Sequence, residues 1–270
     1  MIDIQEFIRL HANDDVNALA LQAHKYPTID MSFVIQQIAG RKAVVDKIPS
    51  WYHNPNILYP KHLSLEQCSS EATARYKSTL SQGQSLIDLT GGFGIDCAFM
   101  ASRFNQITYV ERNPLLCDIA SHNFPAFNLP HIKVINKEAA SYLQETEKVD
   151  CVFIDPARRN ESGGKTIAVS DCEPDVGLLA PNLLLKANQV MVKLSPMLDL
   201  TLALQALPQT TQVHVVSVHN DCKELILILE NKPVDEVQIM CVNLKKDESQ
   251  TFVFTRKEEQ EADSIYTSQI

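Results

Sequence analysis

Apolar residues follow two different spacings along this chain, and the spacing changes near residue 83. Over residues 1–82 they recur every three to four positions, which is typical of amphipathic helices that bury one stripe. From there onward, short runs rich in β-branched residues alternate with helical segments. Such alternation predicts a mostly parallel sheet whose strands are joined by right-handed helical crossovers. The pattern therefore predicts an α/β domain preceded by an all-helical N-terminal domain over residues 1–82.

The helical part contains three segments with this spacing, namely IQEFIRLHA, DVNALALQAH and MSFVIQQIAGRKAVVDKI. Asp14 or Asp15 and Asp30 precede the second and third segments, where a carboxylate can cap free N–H groups. The stretch SWYHNPNILYPKH is predicted to be a loop because Pro55 and Pro60 interrupt it. A single further helix, LSLEQCSSEATARYKSTL, is expected to lead into the sheet.

The sheet part is predicted to begin with the strands SLIDL, QITYV, HIKVI, VDCVFIDP, QVMVKLS and QVHVVSV. Two last strands, ELILILE and VQIMCVNL, are expected to be antiparallel neighbours at the sheet edge. We therefore expect the sheet domain to span residues 83–245. Residues 246–270 are predicted to be a charged tail or the beginning of a further domain.

The junction between the first strand and its helix, SLIDLTGGFGID, carries a candidate ligand site. Its glycines allow positive φ angles and let a ligand approach the backbone closely. Ligands of parallel sheets bind outside the carboxyl ends of the strands, so this turn is typical of a nucleotide site. The stretch has neither the GxxxxGK[ST] of a phosphate-binding loop nor the GxGxxG of a dinucleotide site. The residues predicted to contact a cofactor here are Asp88, Thr90, Gly91, Gly92, Phe93 and Gly94.

Acidic residues end or follow the next two strands. Glu111 closes QITYVE, where a carboxylate can accept hydrogen bonds from both hydroxyls of a ribose. Glu138 follows the third strand and is predicted to accept from an adenine amino group, with Ala139 offering its backbone N–H. A helix N-cap with no ligand contact is the alternative for Glu138.

Composition limits the classes of partner. The formal net charge of −9 gives no general attraction to nucleic-acid phosphates. The seven cysteines show no CxxC and no metal-binding spacing, which favours reduced thiols and no metal site. The sequence has no signal peptide and no long apolar span, so we expect a cytoplasmic protein without membrane contact.

The motifs EQCSSEATARYK, DLTGGFGID, IDPARR, DCEPD, KLSP and CKEL together resemble a bacterial family of class I S-adenosylmethionine-dependent methyltransferases with a THUMP-like C-terminal domain. They are similar, more distantly, to the trimethylguanosine synthases. The resemblance covers residues 33–230 and implies S-adenosyl-L-methionine as cofactor, a Rossmann-like sheet and RNA as the favoured substrate. It also implies that Gln67, Thr73 and Lys77 close over the methionine end of the cofactor, from one face of a single helix. This chain stops where that family would continue into its C-terminal domain.

The fourth strand ends in Asp155, Pro156, Ala157, Arg158 and Arg159. Methyltransferases that act on exocyclic amines carry an acidic or Asn residue, Pro-Pro and an aromatic at this place. By that likeness, the Asp155 side chain and the Pro156 carbonyl are predicted to orient the acceptor. The aromatic is missing, so no ring is available there to stack a base. The two arginines are predicted to bind a substrate phosphate, or else to pair with Glu161, Asp171 or Glu173.

Two lysines complete the predicted substrate contacts. Lys165 lies in the long polar connection from residue 160 to residue 175, which is expected to be a lid or substrate loop. Lys193 ends the fifth strand, where a buried lysine needs a partner, and Asp155 or an acidic residue of that loop is the obvious candidate.

The sequence therefore predicts a class I methyltransferase that positions an RNA acceptor for direct displacement at the sulfonium carbon. Three alternatives stay open. The missing aromatic after Pro156 is compatible with a non-catalytic module that only binds the cofactor. The acceptor is a protein or small molecule in the second alternative. The third is an NAD-binding oxidoreductase, which the lack of GxGxxG disfavours.

Overall fold

The computed structural model describes residues 3–158, 168–246 and 248–261. Within these ranges, nine strands form one sheet that follows a helical N-terminal region. The helices are α1 (Ile4–Leu10), α2 (Val16–Leu21), α3 (Met31–Ala43), α4 (Pro49–Tyr52), α5 (His62–Gln67), α6 (Glu71–Ser78), α7 (Ile95–Met100), α8 (Pro114–Ala126), α9 (Ala139–Glu145), α10 (Val176–Lys186), α11 (Leu200–Ala206) and α12 (Arg256–Glu261). The strands are β1 (Gly83–Asp88), β2 (Phe104–Glu111), β3 (Ile132–Asn136), β4 (Val149–Ile154), β5 (Ala157–Arg158), β6 (Cys172–Glu173), β7 (Ala187–Leu194), β8 (Thr210–Val218), β9 (Asp221–Glu230), β10 (Gln238–Leu244) and β11 (Gln250–Thr255).

The order of strands across the sheet is β11-β10-β8-β9-β7-β4-β1-β2-β3. Strand β1 pairs in parallel with both β2 and β4. From β1 the chain continues to β2 and β3 on one side, and it then crosses to β4 on the other side of β1. The connections on the two sides diverge, so a crevice opens at the carboxyl end of β1. Leu86 and Ile87 belong to two separate apolar clusters, because successive residues of a strand point to opposite faces. The predicted α/β fold with a mostly parallel sheet is confirmed.

The position of β9 corrects one prediction. It lies antiparallel between β7 and β8, and β10 pairs in parallel with β8 instead of with β9. The reason is the turn at His219 and Asn220, whose φ angles of 50° and 67° are both positive. Two residues with positive φ form a tight hairpin turn, so β9 folds directly back along β8. The prediction that β9 and β10 are neighbours is wrong.

The sheet also extends beyond residue 245. Strand β11 pairs antiparallel with β10 and forms one edge. Its side chains stay largely in solvent, with Phe252 66% and Val253 52% exposed. The segment predicted to be a charged tail thus contains a strand, because the run TFVF supplies β-forming residues before the charged residues begin.

The N-terminal helices form a small apolar cluster of their own. Asp15 and Asp30 cap α2 and α3, accepting from the backbone N–H of Ala18 at 2.7 Å and of Phe33 at 3.0 Å. The capping prediction is therefore confirmed for these two residues. The cluster contains Phe7, Leu19, Met31, Val34 and Ile38.

Two local predictions about this region are wrong. The stretch expected to be a loop begins with the short helix α4, because proline is well suited to the first helical position. The single helix expected before the sheet is two helices, α5 and α6, separated at Cys68 by extended backbone. Ser70 caps α6 by accepting from the backbone N–H of Thr73 at 3.2 Å. Gln67 consequently does not lie on one helix face with Thr73 and Lys77.

A buried histidine ties α6 to the sheet and predicts a pH dependence. His214 on β8 is 2% exposed, and its Nδ1 lies 2.7 Å from the hydroxyl of Tyr76. Burial lowers the pKa of His214 to about 4. The unfolded chain therefore binds one more proton between that value and about 6.5. Stability from this group is complete above the upper pH and is lost as the pH falls.

We expect the free energy of unfolding to drop by about 2 kcal/mol between pH 6.5 and pH 5 from this histidine alone. The His214→Gln variant should keep a polar partner for Tyr76 but lose that part of the pH dependence. Urea unfolding at several pH values measures it. The exposed His131 offers a control, because His131→Gln should keep the wild-type slope. Identical slopes in all three proteins would contradict the assignment.

Candidate active site

The carboxyl ends of β1, β2 and β4 surround the glycine turn with acidic side chains. Asp88, at the end of β1, is 1% exposed, and its Oδ1 accepts from the backbone N–H of Thr90 at 3.0 Å. Burial raises the pKa of Asp88 well above its usual value, the N–H of Thr90 opposes this, and the carboxylates of Asp96, Asp155 and Glu111 raise it further. The crevice thus concentrates negative charge, and a cationic group would be stabilised there.

The glycine turn is held from below by a tyrosine that the sequence reasoning missed. Tyr109 on β2 is fully buried, and its hydroxyl donates to the carbonyl of Gly92 at 2.6 Å. A Cβ at Gly91 would lie 2.1 Å from Cε2 of that ring, so only glycine fits. Gly92 and Gly94 have φ angles of 55° and 85°, as expected for a turn that requires glycine. The sequence does show a tyrosine inside an apolar strand, which indicates a buried hydroxyl with a partner. It does not show which face of the sheet the ring lies on, so the contact with the turn could not be predicted.

Glu111 is fastened to the same turn. Its Oε2 accepts from the backbone N–H of Gly92 at 2.9 Å, and its Oε1 accepts from that of Asn113 at 2.8 Å. A carboxylate has about four acceptor positions, so two remain for a ligand. Asn136, which was not predicted, supports the strand end by donating to the carbonyls of Glu111 at 2.8 Å and Arg112 at 2.9 Å. The predicted ribose contact of Glu111 stays a prediction, and the geometry allows it.

The other predicted residues of the turn have different surroundings. The ring of Phe93 is buried and packs 4.7 Å from that of Trp51, so its side chain contacts the N-terminal helices. The Oγ1 of Thr90 accepts from the backbone N–H of Asp155 at 2.6 Å and thereby joins the turn to β4. Glu138 is exposed at the start of α9, and its side chain makes no capping hydrogen bond. Glu138 is thus a solvated N-cap residue of α9, as the alternative expected, and the adenine contact stays a prediction.

The three residues predicted from the helix before β1 lie in three different environments. Gln67 is exposed at the end of α5. Thr73 is buried, and its hydroxyl donates within α6 to the carbonyl of Ser70 at 3.2 Å. Lys77 lies beside the crevice, where it is paired with the acidic side chains of Asp96 and Glu224. A cofactor contact of all three stays a prediction, and their common face on one helix does not exist.

Lys77 is the centre of a buried charge network. It is 0% exposed, and its Nζ donates to both oxygens of Glu224 at 2.7 and 2.8 Å and to the Oγ of Ser69 at 3.0 Å. The Oδ1 of Asp96 lies 3.1 Å from the same nitrogen, and Ser69 donates to the other oxygen of Asp96 at 2.7 Å. Asp96 stands in the first turn of α7, directly after the glycines. The network therefore joins α6, the glycine turn and β9.

Asp155 and Lys193 form an ion pair across the carboxyl ends of β4 and β7. The Nζ of Lys193 donates to Oδ2 of Asp155, which confirms the pairing expected from the sequence. The side chain of Asp155 is 31% exposed and that of Lys193 only 12%. Asp155 is thus the more accessible side chain of the pair, and Lys193 is the more buried one.

The residues directly after Pro156 form the short strand β5, which pairs antiparallel with β6. The backbone of Ala157 pairs with Glu173 on β6, and that of Arg158 pairs with Cys172. The carboxylate of Glu173 forms an ion pair with Arg112 at 3.0 Å, next to Glu111. Arg159 and Lys165 lie outside the described residues, as does the side chain of Arg158, so their predicted phosphate contacts stay predictions.

Two further properties concern the described ranges only. No helix in them is long and apolar enough to cross a membrane. No group of three or more His, Cys, Asp or Glu side chains in them is arranged to hold a metal ion.

Comparison with known proteins relates the chain to methyltransferases. It is 33% identical to a protein of Porphyromonas gingivalis W83 assigned as a methyltransferase, whose crystal structure matches with a TM-score of 0.85 over 99% of this chain and 68% of that one. It is 35% identical over 99 residues to ribosomal RNA small subunit methyltransferase J of Acinetobacter baumannii. That match covers 32% of this chain and 35% of the relative, so the chain spans about a third of the length of its curated relatives. No protein-family model matches the chain.

Proposed function

This chain belongs to the family of S-adenosylmethionine-dependent methyltransferases, and on that premise we propose that it methylates an amine of an RNA substrate. The observation that carries the proposal is Asp155, whose half-buried carboxylate faces the crevice beside the glycine turn. Its second oxygen, Oδ1, and the carbonyl of Pro156 would accept the hydrogens of an amine and turn the nitrogen lone pair toward the cofactor. Such positioning supplies most of the acceleration that methyl transfer needs.

The crevice fits the charge of the cofactor. S-adenosylmethionine supplies a methyl group on a positively charged sulfur and also carries a protonated amine. The carboxylates of Asp88, Asp96, Glu111 and Asp155 make this region favourable for cations and unfavourable for the pyrophosphate of NAD. A Cβ at Gly92 would meet only the carbonyl of Thr90, at 3.8 Å, so there is open space over the turn. These features support the adenosylmethionine site and disfavour the dinucleotide alternative.

Methyl transfer to a neutral amine requires little proton transfer by the protein. The bond between sulfur and the methyl carbon breaks as the bond to the amine nitrogen forms, and the sulfur keeps the electron pair. The methylated nitrogen then loses one proton to solvent. Asp155 thus serves to orient the amine, and no general base is assigned.

RNA is supported as the acceptor by one relative and by one sequence feature. The Acinetobacter baumannii relative is named as a ribosomal RNA methyltransferase. Arg158, Arg159 and Lys165 place three cations after Asp155 in a chain of net charge −9, and we propose that they bind substrate phosphates. The kinship with proteins that carry a THUMP-like domain, and the more distant one with trimethylguanosine synthases, stay predictions from the sequence motifs.

The function is tested by transfer of labelled methyl groups to RNA from cells in which the gene has been deleted. We expect label in RNA, and mass spectrometry of its nucleosides to identify a methylated amine. The Asp155→Ala variant, which removes the acceptor oxygens, should transfer at a rate at least about tenfold lower. If the label enters protein or small molecules instead, the result would support the alternative in which the acceptor is not RNA. Cofactor binding without transfer to any acceptor would support the non-catalytic module.

The cofactor contact of Glu111 is tested separately. We expect Glu111→Ala to weaken binding of S-adenosylhomocysteine by about 1.5–3 kcal/mol for each charge-assisted hydrogen bond lost, which is at least about tenfold in Kd. Calorimetry measures this affinity, and NAD serves as the competing ligand. Glu147 is exposed in the connection between α9 and β4, so Glu147→Ala is the matched control. Unchanged affinity in Glu111→Ala would mean that the ribose is held elsewhere.

A further inference from the structure

We infer that Lys193 is a positioning residue for methyl transfer, which acts through Asp155 and does not contact the substrate. The inference rests on the proposed function, because it assigns Asp155 as the group that orients the acceptor. The sequence alone had assigned Lys193 to the substrate. The geometry of the pair, its exposure and its charged surroundings each point to the positioning role.

The two side chains are placed together by strand register. Val192 on β7 lies opposite Ile154 on β4, so the next residues of these parallel strands are Lys193 and Asp155. Neighbouring positions of adjacent strands point to the same face of a sheet. The Nζ of Lys193 donates to Oδ2 of Asp155, while the Thr90 hydroxyl accepts from the backbone N–H of Asp155 at 2.6 Å. Asp155 is therefore held in place both by its backbone N–H and by one oxygen of its carboxylate.

The difference in exposure separates the two roles. Asp155 is 31% exposed at its side chain and can meet a substrate, whereas Lys193 is 12% exposed. With Oδ2 bonded to the lysine, Oδ1 is the oxygen left to accept from an amine. The ion pair thus selects one orientation of the carboxylate. A lysine that itself bound RNA would be expected to present its ammonium to solvent.

The charged groups around the pair explain why a lysine stands there. Lys193 faces the carboxylates of Asp155 from β4, Asp96 from α7 and Glu224 from β9. Burial would lower the pKa of Lys193, but these carboxylates raise it above its usual value. Asp155 also lies near Asp88 on β1, and the buried Lys77 is engaged by Glu224 and Asp96. Without Lys193, Asp155 would lose the counter-charge that the described part of the chain places against it.

The chemical consequence concerns the proton on Asp155. An ionised carboxylate only accepts hydrogen bonds, whereas a protonated one also donates. A donor at this place would bond the amine lone pair and hold it away from the methyl group. By bonding Oδ2, Lys193 therefore holds the carboxylate of Asp155 in the orientation in which its other oxygen can accept from an amine.

Kinetics separate this role from substrate binding. In Lys193→Met we expect kcat to fall at least about tenfold, with the KM for RNA and the affinity for S-adenosylhomocysteine within about twofold of wild type. The acid limb of the pH profile of kcat should move to higher pH by about one unit or more, since a lost counter-ion favours the protonated acid. Lys193→Arg should recover most of the activity. The exposed Lys148 provides the control variant Lys148→Met.

A double variant tests whether the lysine acts through Asp155. In an Asp155→Ala background, Lys193→Met should cost less than about twofold in kcat, because the carboxylate it acts on is gone. Equal losses in both backgrounds, or a loss confined to the KM for RNA, would overturn the inference in favour of direct substrate contact.

A measurement without substrate keeps this test independent of the proposed function. Protein labelled with carbon-13 at aspartate carboxyls is titrated by NMR, and the Asp155 signal is assigned by its loss in Asp155→Asn. The Asp155 signal should titrate at higher pH in Lys193→Met than in wild type. The same titration in both proteins would overturn the inference. If wild-type protein methylates no RNA, the proposed function fails, while the titration still decides the role of the ion pair.

Discussion

Replacing Lys77 with methionine is expected to lower the free energy of unfolding by about 3–5 kcal/mol. The lysine is fully buried between Glu224, at 2.7 Å, and Asp96, at 3.1 Å. Methionine has a similar length and fills the same space, but it removes the ammonium that lies between the two carboxylates. Burial raises the pKa of Glu224, while Lys77 and Lys193 lower it, so removal of Lys77 should favour the protonated acid.

Urea unfolding at pH 7 measures the loss, with Lys148→Met as a control that should stay within about 0.5 kcal/mol of wild type. The double variant Lys77→Met/Glu224→Gln should be more stable than Lys77→Met, because it removes one of the unpaired charges. The single variant should also come closer to wild type at pH 5, where protonation of the carboxylates relieves their repulsion. A Lys77→Met protein as stable as the control would contradict the role of the network.

This network also explains what the sequence could not provide. As a sequence feature, Lys77 stands in a polar helix, where a solvated side chain is the ordinary expectation. Its main partner, Glu224, is 147 residues away along the chain. Local spacing carries no information about a contact of that range. The same limit explains the misplaced β9, since a strand pattern predicts a strand but not its neighbours.

The features that were predicted correctly are those governed by short-range rules. The change from helical to alternating spacing located the first strand of the sheet at the glycine turn. Asp15 and Asp30 were identified as caps because a capping carboxylate bonds a backbone N–H three residues away. Lys193 and Asp155 form an intermediate case. Their pairing followed from the rule that strand ends meet at one edge and that a buried lysine needs an acid.

The glycine turn yields the second large effect, in the variant Gly91→Ala. A Cβ at this position would lie 2.1 to 2.5 Å from three atoms of the Tyr109 ring. The ring cannot retreat, because it is fully buried, packs against Phe124 with centroids 5.5 Å apart, and bonds the Gly92 carbonyl at 2.6 Å. The turn must therefore move away from β2. That movement would break the hydrogen bond from the Gly92 N–H to Glu111.

We expect Gly91→Ala to lower the free energy of unfolding by about 3 kcal/mol, at the upper end for an overpacked site. Binding of S-adenosylhomocysteine should weaken at least about a hundredfold, or 2.7 kcal/mol, because the turn and Glu111 are displaced together. Gly92→Ala is the matched control for stability, since its Cβ would meet only the carbonyl of Thr90, at 3.8 Å. Its φ of 55° should cost a non-glycine residue about 1–2 kcal/mol of stability.

A second change on β2 shows whether the tyrosine ring is the cause. Tyr109→Leu removes the atoms that the new Cβ would meet, so Gly91→Ala should destabilise the Tyr109→Leu protein by less than it destabilises wild type. Tyr109→Phe keeps the ring and should give no such relief, although it loses the hydrogen bond to Gly92. Urea unfolding and calorimetry on the single and double variants provide the comparison. If Gly91→Ala is as stable as Gly92→Ala and binds the cofactor product equally well, the ring does not set the shape of the turn, and the glycine at position 91 has another cause.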